Sequence, residues 1–207
     1  VTDDDAPIIG QGICLALRNP WLLGGAAYRR LDSFGAVDTV YLGAFRLQDL
    51  RTLRFDDALE ANEDFELCSR VRRGGSLVWL EPGLVVGYEP RDAWRALASQ
   101  YFQFGQAKAT LWRMHRGRPN SRQGLALALA TTAALGAVTQ ICSPRRLVSL
   151  AAALLALYAV SDWRTVPGRY SASVRLMAAL SHATIHVSWI SGIVFRSFQM
   201  DRDSVVT

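Results

Sequence analysis

The sequence predicts an α/β unit followed by two to three membrane-crossing helices. Three observations predict it: charge is confined to one part of the chain, strand and helix patterns alternate before residue 112, and long uncharged apolar runs follow. The 207 residues carry 23 Lys and Arg against 18 Asp and Glu, half are hydrophobic, and the mean hydropathy is +0.11. Such a composition excludes a disordered or low-complexity chain. Up to Arg122 charge is dense; between Gln123 and Ser161 the only charged residues are Arg145 and Arg146.

The first part, residues 1–122, reads as follows. AVDTVYLGAF (36–45) has the composition of a strand running into a small-residue turn. RLQDLRTLR (46–54) suits a short helix. Asn62 is placed to cap the next helix, with Glu63 and Asp64 in its first turn and Leu67, Cys68 and Val71 as its apolar stripe. Arg70, Arg72 and Arg73 lie where the helix dipole favours cations, and Gly74-Gly75 ends it. SLVWL (76–80) and LVVGY (84–88) read as strands around the turn EPG. Residues 93–112 form an aromatic-rich amphipathic helix with Trp94, Leu97, Ala98, Tyr101, Phe104, Leu111 and Trp112 on its apolar face. The basic stretch RMHRGRPNSR follows it, as expected of a helix lying at a bilayer surface.

The second part, residues 123–207, contains three apolar candidates for membrane spans: 123–142, 147–161 and 176–195. The first belongs to an uncharged run long enough for a hydrocarbon core of about 30 Å. Pro144 and the Arg145–Arg146 pair make a turn between the first two. Arg175 and Arg196 bracket the third. Two crossings put the Arg residues at 113–122 and at 164–175 on one side, and the positive-inside rule makes that side cytoplasmic. His182 and His186, four apart, share a helix face. Without a third ligand they read as polar residues at a helix interface rather than a metal pair.

Several function classes are excluded. Cys14, Cys68 and Cys142 are odd in number and far apart, which argues against a zinc site or a disulfide framework. No Gly-rich phosphate loop or nucleophile–His–acid set is present, and the Arg residues flank apolar segments rather than forming a nucleic-acid face. The chemical signal that remains is NEDFEL (62–67): three carboxylates in four residues at a helix start. Its plain alternative is an acidic, capped surface turn.

Context adds to that signal. GGAAYRR (24–30), VDTVYLGAFR (37–46), FDDALEANEDFEL (55–67), LVWLEP (77–82), YEPR (88–91) and SQYFQFG (99–105) occur in this order. The series resembles the C-terminal part of family 2 glycosyltransferases with the GT-A fold, and is most similar to exopolysaccharide enzymes of the succinoglycan-biosynthesis type. The resemblance covers roughly residues 10–120. It implies a membrane-associated inverting transferase that moves a sugar from a nucleotide sugar to a lipid-linked or growing glycan acceptor. Asp64 matches the family's catalytic base, with a depressed pKa keeping it ionised, and Glu63 shapes the helix start or acceptor pocket. The family's Q-x-x-R-W motif matches Gln100 to Phe104. Gln100 and an aromatic, Phe104, are kept; Gln103 replaces the Arg, leaving Arg91 to meet a donor diphosphate. Phe104 is placed either to stack on a sugar or to fill the core.

The resemblance also implies Mg²⁺ or Mn²⁺ in the whole enzyme. The family's nucleotide-binding half ends in a D-x-D metal motif. Asp3-Asp4-Asp5 fits those letters, but no strands precede it, and it reads as a solvated turn. The sequence therefore reads as the acceptor half of a longer enzyme, carrying no metal ligands of its own. The alternative is a non-catalytic membrane adaptor that docks with polysaccharide-assembly proteins.

Overall fold

A computed structural model describes residues 6–19, 27–29, 33–57, 59, 61–86, 91–115, 119, 123–124, 127–128, 152, 156, 158, 160, 164 and 170–206. The expected spans at 123–142 and 147–161 lie almost entirely outside the described residues, as do Cys142 and Asp3-Asp4-Asp5. In chain order the elements are α1 (Ile8–Arg18), a 3-10 turn (Ala27–Arg29), β1 (Gly35–Ala36), α2 (Leu47–Leu53), α3 (Glu63–Arg73), β2 (Trp79–Leu80), α4 (Trp94–Met114) and α5 (Ala172–Val206). The described structure is mostly helical.

The core is the seam between α1, α4 and α5. Ile13 and Leu17 of α1, Leu97 and Tyr101 of α4 and Ile185 of α5 form one buried cluster, with Trp94, Phe104 and Trp189 packed against it. Leu15, Tyr170, Val174 and Ala178 form a second cluster where α1 meets the start of α5. The apolar face of α4, which the sequence assigns to a bilayer surface, is thus covered by protein. Helices α4 and α5 run in the same direction: Gly105 meets Trp189, Thr110 meets Arg196, and Arg113 meets Asp201.

Small residues set how closely these helices approach. A methyl on Gly105 would overlap the Trp189 carbonyl oxygen, and one on Gly192 would overlap that of Phe102. A methyl on Gly12 would overlap Met177, so α1 makes the same kind of contact with α5. The two α5 histidines are held by hydrogen bonds. His182 is fully buried and its Nε2 lies 3.0 Å from the Ala16 carbonyl, so Nε2 carries the proton. Nδ1 of His186 lies 2.8 Å from the Tyr158 hydroxyl. Cys14 and Cys68 are buried.

The expected strands are present only in short form. Gly35 and Ala36 pair antiparallel with Leu80 and Trp79, and the Val37 amide adds one bond to the Val78 carbonyl at 2.9 Å. Residues 38–46 and 84–86 are not strand. A strand exists only as part of a ladder, and no further strand is available among the described residues. Consequently Leu77, Trp79, Leu84 and Val85 keep their side chains in solvent.

Among the described residues, one helix could cross a membrane by length and composition. Ala172–Arg202 spans 31 residues; its apolar 18-residue window has a mean hydropathy of 1.3, and 39% of that window is buried inside the chain. The expected span 176–195 lies within Ala172–Arg202. At 1.5 Å per residue that stretch reaches about 46 Å, more than a hydrocarbon core of about 30 Å requires.

Candidate functional site

Helix α3 starts differently from the expectation. Asn62 sits in the left-handed region (φ 60°, ψ 22°), which Asn tolerates better than most residues, and its side chain makes no cap bond. Its backbone carbonyl still accepts the Glu66 amide at 3.0 Å. Its side-chain amide instead donates to the Phe104 carbonyl of α4 at 3.4 Å. A local cap has become a tie between helices, which fixes the acidic turn against α4. Beside that tie, the Lys108 ammonium lies 3.7 Å from the centre of the Phe65 ring. Burial pushes the Lys108 pKa down, against the opposing charge of Asp38.

The three carboxylates of the turn have separate fates. Glu66 is 1% exposed, and its two oxygens share the single N–H of Arg70 Nε, at 2.8 and 2.9 Å. The rest of the Arg70 guanidinium donates to the carbonyls of Leu53 and Arg54, binding α3 to the end of α2. His115, at the end of α4, brings Nε2 to 2.9 Å from Glu66 Oε1, an ion-pair distance at which the N–H points off the line to the oxygen. Arg73 approaches Nδ1 of the same ring at 3.2 Å, which makes Nδ1 an acceptor and puts the proton on Nε2. With its oxygens committed in this way, Glu66 is a structural anion.

Glu63 and Asp64 remain exposed on the first turn. Asp64 accepts the Phe65 amide at 2.6 Å. Its pKa is raised, the reverse of the depression expected from sequence. Desolvation by the surrounding protein is the largest cause; Glu63 adds like-charge repulsion, and the Phe65 amide opposes both. The helix dipole, which favours anions at an N-terminus, does not outweigh this loss of water.

The structure brings part of the expected site together. Phe104 is tied to Asn62 through its carbonyl, while its ring packs edge-to-face on Tyr101 at 5.5 Å and joins the core cluster. Gln100, Phe104 and Lys108 follow one another at four-residue spacing on the same face of α4. Gln103 is exposed and falls about 100° around the helix from Phe104. Arg91 is exposed in the loop before α4, with no described contact to the acidic turn.

Sequence reasoning missed two features here. The Glu66–Arg70 pair was legible as an i, i+4 spacing; its connection to His115, which Arg73 meets across forty-two residues, was not. Arg29, within the GGAAYRR segment, also reaches α4. Burial works against its charge, but the facing hydroxyls of Tyr101 and Tyr28 outweigh it and raise the pKa above the ordinary Arg value.

Among the described residues no group of three His, Cys, Asp or Glu could hold a metal ion. Glu63 and Asp64 are the available acids of the turn, since Glu66 is committed to Arg70 and His115. The residues described do not fit the divalent cation that the resemblance implies.

Comparison with known proteins now bears on the site. No family model matches the chain, and no solved structure matches it. The sequence is similar to the succinoglycan biosynthesis protein ExoA of Rhizobium meliloti (strain 1021), at 29% identity over 138 residues. The match covers 67% of this chain and 41% of the relative's length. The chain is a distant relative of a protein of exopolysaccharide biosynthesis.

Proposed function

We propose that this chain supplies the acceptor side and the general base of an inverting, family 2-type glycosyltransferase with a GT-A-like catalytic part. It works at the cytoplasmic face of a bacterial plasma membrane and extends a lipid-linked or growing polysaccharide from a nucleotide sugar. The acceptor hydroxyl oxygen bonds to the anomeric carbon of the donor as the bond from that carbon to the diphosphate breaks. The nucleoside diphosphate leaves, and the hydroxyl proton passes to Asp64. A carboxylate whose pKa lies above the ordinary Asp value is, once ionised, a stronger base. The carrying observation is that Asp64 stands exposed on a turn held to α4 by Asn62 and to α2 by Arg70. The relationship to ExoA supplies the substrate class.

The test is transfer of labelled sugar in membranes that express the gene from its native locus. Asp64→Asn is expected to lower transfer by roughly 10²- to 10⁴-fold, the range of a lost general base. Activity retained in that variant removes Asp64 from the mechanism. The purified 207-residue chain alone is expected not to turn over nucleotide sugar, because it spans only 41% of the relative's length. The span of 41% of the relative favours one other reading, a non-catalytic adaptor within a polysaccharide-assembly complex. Under it, Asp64→Asn leaves polymer output unchanged.

A further inference from the structure

Two contacts hold the acidic turn on α4, one on each side of the Glu63–Asp64 pair. Before the pair, the Asn62 side-chain amide donates to the Phe104 carbonyl at 3.4 Å. After it, the Lys108 ammonium sits over the face of Phe65, 3.7 Å from the ring centre. Phe104 and Lys108 are four residues apart, about 6 Å along the helix axis, so the turn is pinned to successive turns of α4. The Asn62 bond is long for its kind. The contact at Lys108 therefore shares the work of holding the turn in place.

Phe65 joins that contact to the carboxylate. Its backbone amide donates to Asp64 Oδ1 at 2.6 Å. One residue thus presents its ring to Lys108 and its N–H to Asp64, and a ring that slips off the ammonium moves the backbone that orients the carboxylate. The ammonium is held by the ring and not by the acids of the turn: among the described residues no ion pair includes Lys108. Burial also keeps water from this charge, and a cation out of water gains more from a ring face than an exposed one does.

We infer that Lys108, acting through Phe65, is a positioning residue for Asp64: its cation–π contact holds the first turn of α3 so that the carboxylate meets the acceptor hydroxyl. The inference rests on the proposed transferase reading for the hydroxyl; the contact itself is measured without turnover. A residue that positions the base without touching the donor changes the chemical step and leaves nucleotide-sugar binding alone.

The contact is tested by NMR on the full 207-residue chain in detergent, labelled with carbon-13 lysine. Lys108 is the one lysine among the 23 Lys and Arg, so its side chain gives a single set of signals. In wild type the Phe65 ring current is expected to shift the Lys108 Hε protons upfield, and Phe65→Leu to return them to their ordinary position. The role is tested by sugar transfer in membranes that express the gene from its native locus. Lys108→Met keeps the length of the stem and removes the charge. It is expected to lower kcat by about tenfold with KM for the nucleotide sugar unchanged, and Phe65→Leu to do the same. The double variant is expected to lose no more than either single one, because both remove one contact. Lys108→Arg keeps a cation for the ring and is expected to keep most of the activity. Circular dichroism checks that each variant is folded; if Lys108→Met is not, Phe65→Leu and Lys108→Arg decide the kinetic result. Unshifted Hε protons in wild type overturn the inference. So do additive losses in the double variant, a raised KM in Lys108→Met, or a loss in Lys108→Arg as large as that in Lys108→Met. Full activity of Lys108→Met or Phe65→Leu in an enzyme that Asp64→Asn inactivates overturns it and leaves the transferase reading standing. Activity retained in Asp64→Asn overturns the role of Asp64 and that of Lys108 together.

Discussion

Asp64 shows how strongly residue chemistry depends on surroundings. Its raised pKa means that the folded chain binds this proton more tightly than the unfolded chain does. The group therefore favours folding below the ordinary Asp value of 3.8, and that contribution is lost as pH rises through the folded value. Asp64→Asn is accordingly expected to unfold at a temperature equal to or above wild type at pH 7, with the two proteins converging on their protonated-state difference below pH 3.8. A lower melting temperature at pH 7 alone would mean that the Asp64 carboxylate stabilises the turn. Transfer activity is expected to fall as acid protonates Asp64, at a pH above the ordinary Asp range. Glu66 is held by its partners instead. Removing a buried carboxylate from its partners strands charge, so Glu66→Ala is expected to cost about 3 kcal/mol in urea unfolding. Of these residues the NEDFEL motif was legible from sequence, because it is local. The partner of Glu66 at His115 was not, because nothing in a linear pattern marks which helix end will return to it.

Among the elements, the α4–α5 contact depends on two glycines whose role only the packed structure reveals. Gly→Ala inside a helix ordinarily gains up to about 1 kcal/mol of helix propensity. At Gly105 and Gly192 the new methyl meets a backbone carbonyl that cannot rotate away. Overpacking of this kind costs about 1–3 kcal/mol and outweighs the gain. Gly105→Ala is therefore expected to lower thermal stability, whereas Gly124→Ala, with nothing within 4 Å among the described residues, is expected to be neutral or stabilising. Equal effects at the two sites would mean that α4 and α5 are not in close contact. The end of α3 was readable in advance: Gly75 adopts φ 85°, which a residue with a side chain enters at a cost, and the Ser76 amide closes onto the Val71 carbonyl at 3.2 Å. Strand lengths were not readable, since a strand is only as long as its partner.

For the whole molecule, the apolar second part is what the sequence shows most plainly and what membrane attachment rests on. The 176–195 segment becomes part of α5, with Leu176, Val187, Val194, Phe195 and Phe198 exposed along it. The chain is expected to remain with the membrane pellet after alkaline carbonate extraction, because apolar spans resist it and surface charge contacts do not. Recovery in the supernatant would show that these segments are covered by protein. Since α1 and α4 run alongside α5, any membrane attachment of α5 also fixes the helix on which the acidic turn is anchored.

The sequence alone determined the local elements: where α3 and α4 lie, the acidic turn, the apolar tail, and the relationship to succinoglycan biosynthesis. Those follow from periodicity, capping residues, turn glycines and ordered motifs, all written within short windows of chain. Only the tertiary structure decided that α4 faces α1 and α5, that Asn62 ties rather than caps, and that Glu66 is a structural anion. It also decided that desolvation raises the Asp64 pKa. Each of these is set by which distant groups displace water from a residue, and burial depends on long-range contacts that no short window of sequence specifies.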